Sequence, residues 1–567
     1  VKLIKVNKKD ALAFSAIIFS ILICSIIQMN LFWDKDLVLT GDDIGFHLNR
    51  VFGLAEAIKT SHYPFYIDST FLNGYGYAAN WFYPNLFLFP IAILLNLGYS
   101  LVVSYKTYII LYTIATACVT YYCTYKMSKK VTSSSFMTIL YVFSLYRAFD
   151  VYQRAALGES LAFIFLPVIL YGIYEILYGH KKKWYILTIG FTGIIYTHVL
   201  SSVLAFCMLL LFLLLSIHRL REDKTKIIYF VVAGGVTILL SAFFIFPMVE
   251  QMTSNTFYLN TYTLTTPSNT TYSLGALWRS ITLYYKDSSI IGLGYVLFLP
   301  LIYRFKIKKK NTIINFADKC LLIAMIFLLM TTSYFPWQHF HTLDVIQFTF
   351  RLFALVTLLM AFSCSIYVGY SVKKKYHSIG LLFIVLSLSI SNASTIAQYY
   401  KDFRIHDKNQ VRGEQTFKDS YNIGAGSEYL PSVTKIDVLK SRKKDEVKTK
   451  NRTTKLSHIV KEDNELSIHF DAKNKDILEL PMIYYKGYEV KINNKIVPIK
   501  MSNNGLIEVP IQGKGKMEIS YPGTGIQKFS FYTSITTFIL LMIFILLRSI
   551  IRNKEQQHSG DSIMKYA

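Results

Sequence analysis

Uncharged apolar runs of about 18 or more residues recur along the whole 567-residue chain. Each is long enough to cross a hydrocarbon core of roughly 30 Å as a helix. Seven short segments between them carry at least three Lys or Arg each: the N-terminus, 126–130 (KMSKK), 181–183 (KKK), 219–226 (RLREDKTK), 304–310 (RFKIKKK), 373–375 (KKK) and the tail from Arg548. Placing all seven in the cytoplasm, as the positive-inside rule directs, sets the sidedness of every run. About twelve spans follow, near 11–31, 101–124, 131–148, 155–177, 184–198, 199–217, 227–248, 288–305, 315–335, 347–371, 377–396 and 529–547, with both termini cytoplasmic. The basic start precedes an apolar run too long for a secretory h-region, so the first run reads as an uncleaved helix.

One run does not fit this alternation. Residues 83–98 (YPNLFLFPIAILLNLG) are apolar but short and carry Pro84 and Pro90. As a full span they would move the first basic loop to the wrong side, so a re-entrant or interfacial helix beside the outer face is expected.

Two outside segments are large. Residues 32–98 form the first extracytoplasmic loop with its juxtamembrane helices, and 399–528 are polar. Within the latter, 464–472, 476–485, 488–501, 506–511 and 516–523 alternate apolar and polar positions. Turn signals separate them at Asn493-Asn494, Asn504-Gly505 and Gly513–Gly515. A β-sandwich of five or more strands is expected there. The charged stretch 401–452 reads as an ordered linker or a partly flexible one. The expected organisation is a polytopic α-helical membrane domain (1–398), an extracytoplasmic β-rich domain (399–528), and a final transmembrane helix with a cytoplasmic tail (529–567).

Composition supports this. The chain is 53% hydrophobic, with a mean hydropathy of +0.36, against roughly 45–50% apolar residues in soluble domains. The net charge of +25 resides in the short basic loops. No soluble segment shows a basic stripe interleaved with aromatics, which excludes nucleic acid as a partner. All six cysteines lie in or at the ends of apolar runs without CxxC spacing, so they read as small apolar filler.

Polar residues at the ends of spans carry the candidate chemistry. LTGDDIGFHLNR (39–50) follows the first span and reads as a helix start capped by Thr40 or Asp42. Asp43, His47 and Arg50 then share one helical face. The turn YRAFDVYQRAALGESLAF (146–163) brings Arg147, Asp150, Arg154 and Glu159 to the same side, while His198 tips the fifth and sixth spans. Gln347 and Arg351 start the tenth. Each has a plainer reading: helix capping, headgroup snorkelling, mutual ion pairing or simple packing. Ionisable groups are costly at the bilayer centre and usually face a cavity or a partner. Together they suggest one outward cavity of carboxylates and guanidinium groups.

That mixture suits transfer from a phosphate-bearing donor. Arginines pair with phosphate, and a carboxylate accepts the proton of an attacking hydroxyl. Outside the membrane no nucleotide sugar is present, so a sugar on a polyprenyl phosphate meets the conditions. Tyr75 and Trp81 would stack on the sugar, or belong to an interfacial aromatic belt. Tyr484, Tyr485 and Tyr488 would hold the acceptor, or fill the sandwich core. Adjacent carboxylates can hold Mg²⁺ or Mn²⁺, so a divalent cation is the one cofactor left open; two ligands alone do not make a site.

The stretches GDDIGFHLNR, YPFYIDSTFLNGYGYAANWFYPN and YRAFDVYQRAALGESLAFIFLPVILY resemble bacterial multispanning 6-pyruvoyl-tetrahydropterin-synthase-related membrane proteins. IQFTFRLF and the β-rich segment resemble the YfhO-like proteins of the C-type glycosyltransferase (GT-C) superfamily, implicated in sugar decoration of envelope polymers such as lipoteichoic acid. The resemblance implies a GT-C-like membrane fold and a catalytic acid in the first outside loop, here Asp42 with Asp43 beside it. It also implies cavity roles for His47, Arg50, Arg154, Glu159 and Arg351. YfhO-like proteins usually have more spans, and Thr349 stands where a Pro is frequent.

The resulting expectation is a glycosyltransferase in the bacterial plasma membrane. It would move a sugar from polyprenyl phosphate to an envelope acceptor (teichoic acid, polysaccharide or glycolipid) on the outer face, among membrane lipids. The alternatives are a transporter or flippase of lipid-linked saccharides, and a non-catalytic envelope assembly protein.

Overall fold

A computed structural model describes residues 8–32, 42–60, 65–261, 264–282, 291–308, 311–373, part of 376–388, most of 420–450, and 453–564. Among the described residues five helices are long and apolar enough to cross a membrane: Leu101–Ser128, Leu157–Leu177, Thr312–Met330, Thr349–Ser371 and Gly525–Ile551. A sixth forms if Thr225–Leu240 and Ala242–Ser254, bent by 73° at Ser241, count as one span.

The twelve spans that the apolar runs suggested are not all found among the described residues, and the reasons are local. The run 131–148 is helical only over Val131–Val142 before it breaks, and 184–198 holds Tyr185–Ile195, 11 residues. At about 1.5 Å per residue such helices fall well short of the bilayer core. Val199–Leu215 has 17 residues. The run 377–396 and the start of 288–305 lie largely outside the described residues. In the proline-containing run 83–98 the helix Phe89–Asn96 has eight residues, about 12 Å.

The helical body packs tightly. Phe353–Ser371 is buried along nearly its whole length, against Thr312–Met330 and Val131–Val142. Small residues allow close crossing of Leu166–Leu177 and Tyr185–Ile195. A Cβ at Gly172 would fall 2.6 Å from Leu187 Cα, and one at Gly190 would fall 2.7 Å from Ile169 Cγ1.

The polar segment forms a sheet: β1 (Lys448–Thr449), β2 (Lys455–Glu462), β3 (Glu465–Ile483), β4 (Glu489–Ile492), β5 (Lys495–Val497), β6 (Lys500–Met501) and β7 (Leu506–Ser520). Its order is β1-β3-β7-β4-β5, with β2 also on β3 and β6 also on β7, all antiparallel. The expected two-sheet sandwich is thus a single sheet among the described residues. The alternating stretches 464–472 and 476–485 join into β3 across a register shift between Ala472 and Asp476. Residues 506–511 and 516–520 likewise join into β7. A bulge keeps the chain in the ladder where the sequence reads as a turn. Asn493 and Asn494, at φ 48° and 65°, close the β4–β5 hairpin as expected.

One face of the sheet is covered by the first loop. Tyr75, Tyr77 and Trp81 share an apolar core with Tyr485, Leu478 and Val490, and Ile483 N–H donates to Tyr75 O at 3.0 Å. The loop therefore docks on the sheet at one end and enters the helical body at the other, and the candidate site lies where it enters.

Candidate active site at the sheet end of the helices

The helix Ile44–Lys59 begins with Asp43, not Thr40 or Asp42, at its N-cap position. Asp43 makes no side-chain cap bond. Its carboxylate instead meets Arg154 (Nη2 to Oδ2, 3.4 Å), and its N–H donates to Arg154 O at 3.0 Å. Asp42, one residue earlier, is exposed.

Arg154 is delivered by a distorted turn. Phe149–Gln153 is a π-helical turn, Arg154 N–H donates to Phe149 O, and Ala155 sits at φ 52°. A left-handed Ala is strained, and such strain concentrates at functional sites. The Arg154 guanidinium bonds three carboxylates: Asp43, Asp150 (3.1 Å) and Glu159 (2.8 Å). Asp150 and Glu159 are 0% and 2% exposed. Buried charges persist only when paired and hydrogen-bonded. Here Ser160 Oγ donates to Asp150 Oδ2 at 3.2 Å and Tyr146 OH donates to Glu159 Oε1 at 2.5 Å.

Arg351 lies beside the same Glu159, Nε to Oε2 at 3.6 Å. Its Nη1 donates to Ile346 O (2.8 Å) and Gln347 Oε1 (3.0 Å). Its buried Nε has no hydrogen-bond partner. Gln347 adopts φ 61°, a second strained residue at the site. The two cations therefore differ: carboxylates fill the Arg154 fork, whereas Arg351 keeps donor capacity.

Carboxyl titration follows this arrangement. Partial burial raises the Asp42 pKa, the adjacent Asp43 charge raises it further, and Arg154 opposes both. Asp43 is raised chiefly by burial, against Arg154 and Arg351. A carboxylate with a raised pKa is a stronger base.

His47 and Arg50 brace the wall. Arg50 Nη2 donates to Tyr83 O (2.7 Å), Pro84 O (3.0 Å) and Asn85 Oδ1 (2.5 Å). Its guanidinium lies 4.6 Å from the centre of the Tyr83 ring, and His47 Nδ1 is 3.5 Å from Arg50 Nη1. Burial, then the Arg50 charge, holds the His47 pKa well below its usual range. His198 joins from the junction of two helices, its ring 5.6 Å from Tyr83 and its Nδ1 2.8 Å from Ser201 Oγ.

Arg147, Tyr75 and Trp81 stand apart. Arg147 donates from its Nη atoms to Val142 O and Thr113 Oγ1 and lies over Tyr112, where it ties the break after Val142 to the Leu101–Ser128 helix. Tyr75 is 1% exposed under the sheet. Trp81, also 1% exposed, packs with Tyr66 and Tyr485. Tyr485 and Tyr488 are likewise buried in that core.

Three participants were not foreseen. Tyr146 holds Glu159. Tyr83 packs against His47, His198 and Arg50, and its ring leaves no room at Gly158, where a Cβ would fall 2.5 Å from Tyr83 Cε1. Glu428 comes from the segment leading into the sheet. Burial raises its pKa, Asp43 adds to that, and Arg351 opposes it, so its carboxyl shares the field of the site. That segment is pinned by Leu259 N–H on Glu428 O (3.0 Å) and by Tyr429 stacked on Phe82 at 4.8 Å. Tyr83 lies in the quoted stretch 63–85 without having been singled out, and no motif surrounds Glu428. Among the described residues no group of three or more His, Cys, Asp or Glu side chains is placed to hold a metal ion.

Residues 81–400 match the 6-pyruvoyl-tetrahydropterin synthase related domain family of membrane proteins. The chain belongs to that family. The match spans the turn carrying Asp150, Arg154 and Glu159 as well as Arg351, so most of the cluster is made of family sequence. An uncharacterised protein of Lactococcus lactis subsp. cremoris (strain MG1363) is 24% identical over 320 residues, covering 53% of this chain and 50% of that protein. The chain thus spans about half the length of the curated relative it matches. Among solved structures, two cryo-EM structures of the arabinofuranosyltransferase AftD from Mycobacteria, one of them a mutant, are similar at TM-scores of 0.42 and 0.41 with 11% identity. They cover 67% and 68% of this chain and 27% and 26% of AftD. Likeness at that level carries no conclusion about activity.

Proposed function

We propose that this family member is a glycosyltransferase of the bacterial plasma membrane. It transfers a sugar from a polyprenyl-phosphate donor to a cell-envelope acceptor on the face that carries the sheet. The observation that supports the reading is an exposed Asp42 beside a continuous chain of charges, Asp43–Arg154–Glu159–Arg351.

In this reading Asp42 accepts the proton of the acceptor hydroxyl as its oxygen bonds to the anomeric carbon. The bond from that carbon to the donor phosphate breaks, and the phosphate leaves with the electron pair on its lipid. Arg351 stabilises the departing anion. Arg154 acts by positioning: it holds Asp43, Asp150 and Glu159 in place, and a phosphate could reach its fork only by displacing a carboxylate. Asp43 raises the basicity of its neighbour. A divalent cation, where the reaction uses one, would draw on Asp42, Asp43 and the substrate phosphate.

The transporter reading calls for polar groups at mid-depth in several helices; here the ionisable residues of the cluster, Asp43, Arg154, Glu159 and Arg351, lie at or near helix ends. The test is sugar transfer from radiolabelled polyprenyl-phosphate sugars by membranes carrying the wild type or Asp42→Asn, together with envelope sugar analysis of a deletion strain. Normal decoration by Asp42→Asn at equal membrane abundance would remove the catalytic assignment.

A further inference from the structure

Pro84 and Asn85, whose polar groups Arg50 holds, also line a groove of about 560 Å³, well within the range of small-molecule sites. Its apolar wall is built by Phe243 and Phe244, just past the 73° bend, and by one face of the last helix. That face runs from Phe531 to Ile545, about 21 Å at 1.5 Å per residue. Ile535, Phe538 and Met542 line the groove yet are 42%, 57% and 42% exposed, so it opens sideways along the helix. A hydrocarbon chain can enter from the bilayer without crossing water.

The sheet end of the groove is different. Asn80 is 7% exposed, and neither its amide oxygen nor its nitrogen has a hydrogen-bond partner. Trp81 Nε1 is buried and unpartnered as well. Both residues line the groove, and Trp81 packs edge-on to Tyr485 of the sheet at 5.3 Å. Buried polar atoms are nearly always satisfied, so a cluster left unsatisfied beside a cavity points to a ligand that satisfies it. No Lys, Arg, His, Asp or Glu is among the described residues of the lining. A phosphate would be desolvated there without a counter-charge, whereas an ester or hydroxyl group can both accept from the indole and amide N–H groups and, if a hydroxyl, donate to the amide oxygen.

We propose that this groove binds an uncharged glycerolipid, its ester and hydroxyl region on Asn80 and Trp81 and an acyl chain along the last helix. The groove thereby anchors a lipid-borne acceptor. The lipid site stands on the groove itself; the acceptor role rests on the glycosyltransferase reading. The neutral lining separates it from the donor, whose phosphate belongs with Arg351.

The experiment uses full-length protein in phosphatidylcholine vesicles. The vesicles carry either a monoglycosyl diacylglycerol or a polyprenyl phosphate, each with a photoactivatable group on its hydrocarbon chain, and cross-linked peptides are mapped after irradiation. The neutral probe is expected to label 84–87 and 535–542, to be displaced by unlabelled glycolipid, and to label Asn80→Leu about tenfold less. Ile535→Trp, at an exposed position, is expected to block labelling by narrowing the groove while leaving the fold intact. Labelling of these segments by the polyprenyl phosphate alone, labelling by neither probe, or labelling unchanged in both variants would overturn the proposal. Labelling needs no sugar transfer. A labelled groove in a protein whose Asp42→Asn variant decorates normally would sink the transferase reading alone; an unlabelled groove in an active enzyme would sink this one alone.

Discussion

The acid–arginine cluster and the apolar groove adjoin the same short segment, Tyr83–Asn85, and they solvate their polar atoms in opposite ways. In the cluster nearly every buried polar atom has a partner: three carboxylates surround Arg154, and Tyr146 and Ser160 supply donors to two of them. In the groove an amide and an indole N–H stand in apolar surroundings with no partner. Saturated groups hold a fold, and unspent ones mark where something else binds. The same distinction operates inside the cluster, where it separates Arg154, which is spent, from Arg351 and Asp42.

The largest effect that tests this contrast is on Arg154. Arg154→Met leaves three acids around a missing cation, and breaking a buried pair of this kind costs about 3–5 kcal/mol. The expected outcome is loss of folded protein, read as membrane abundance and detergent-extracted monodispersity. Wild-type abundance would show that Arg154 is not the keystone of the cluster.

Asp42→Asn comes next. Asp42 is a surface residue on which, among the described residues, no ion pair or hydrogen bond of the cluster depends, so the fold is expected to survive while transfer falls at least about 100-fold, in line with loss of a general base. The wild-type rate is expected to fall as pH drops through a raised Asp42 pKa, so its acid limb lies above the ordinary aspartate range. Asp43→Asn removes a neighbouring negative charge and is expected to move that limb to lower pH with a smaller loss of rate.

Gly158→Ala tests the wall. The new methyl would meet the Tyr83 ring and the Thr197 carbonyl, and overpacking of this sort costs about 1–3 kcal/mol. Displacement of Tyr83 is expected to slow transfer about tenfold. An unchanged rate would make Tyr83 a bystander.

The smallest effect concerns the docking of the loop on the sheet. Asp68 is 1% exposed, accepts from Thr70 N–H and Oγ1 at one oxygen, and leaves the other without a partner. Burial, opposed by those two bonds, lifts its pKa to about 7. The folded state therefore holds this proton more tightly than the unfolded chain. Its stabilising contribution is full below the unfolded value near 4 and is lost as pH rises toward 7. Asp68→Asn is expected to flatten that slope and raise the melting temperature by a few degrees at pH 8. Equal pH dependence in both proteins would place the titration elsewhere.

Much of the site was legible because ionisable residues at the ends of apolar runs are costly unless they have partners. That argument singled out Asp43, Asp150, Arg154, Glu159 and Arg351, which the fold brings together. It also singled out Arg147, which the fold turns away from the cluster to a carbonyl and a threonine, because cost alone does not reveal which partner a cation finds. Tyr83 and Tyr146 stood inside the motif stretches but nothing set them apart from the other tyrosines of a chain with 42, and Glu428 was one of many charges in a polar segment. The span map is confirmed only in part for a related reason: hydropathy measures what a run is made of, and the breaks at Ser241 and after Val142 leave the composition unchanged. The merging of four alternating stretches into two long strands was equally invisible, since a bulge and a turn draw on the same residues.

By itself the sequence determined that this chain enters a membrane, that a polar domain precedes its last helix, and that acids and arginines collect at one end of the spans. Periodicity and the cost of burying charge are local properties and can be read residue by residue. Only the tertiary structure decided which guanidinium is spent and which is available, and that Asp43 rather than Asp42 meets Arg154. It also decided that a neutral, unsatisfied pair of side chains faces an open apolar groove. Those outcomes depend on distances between segments hundreds of residues apart, and side-chain atoms gain or lose their partners only when packing brings such segments together.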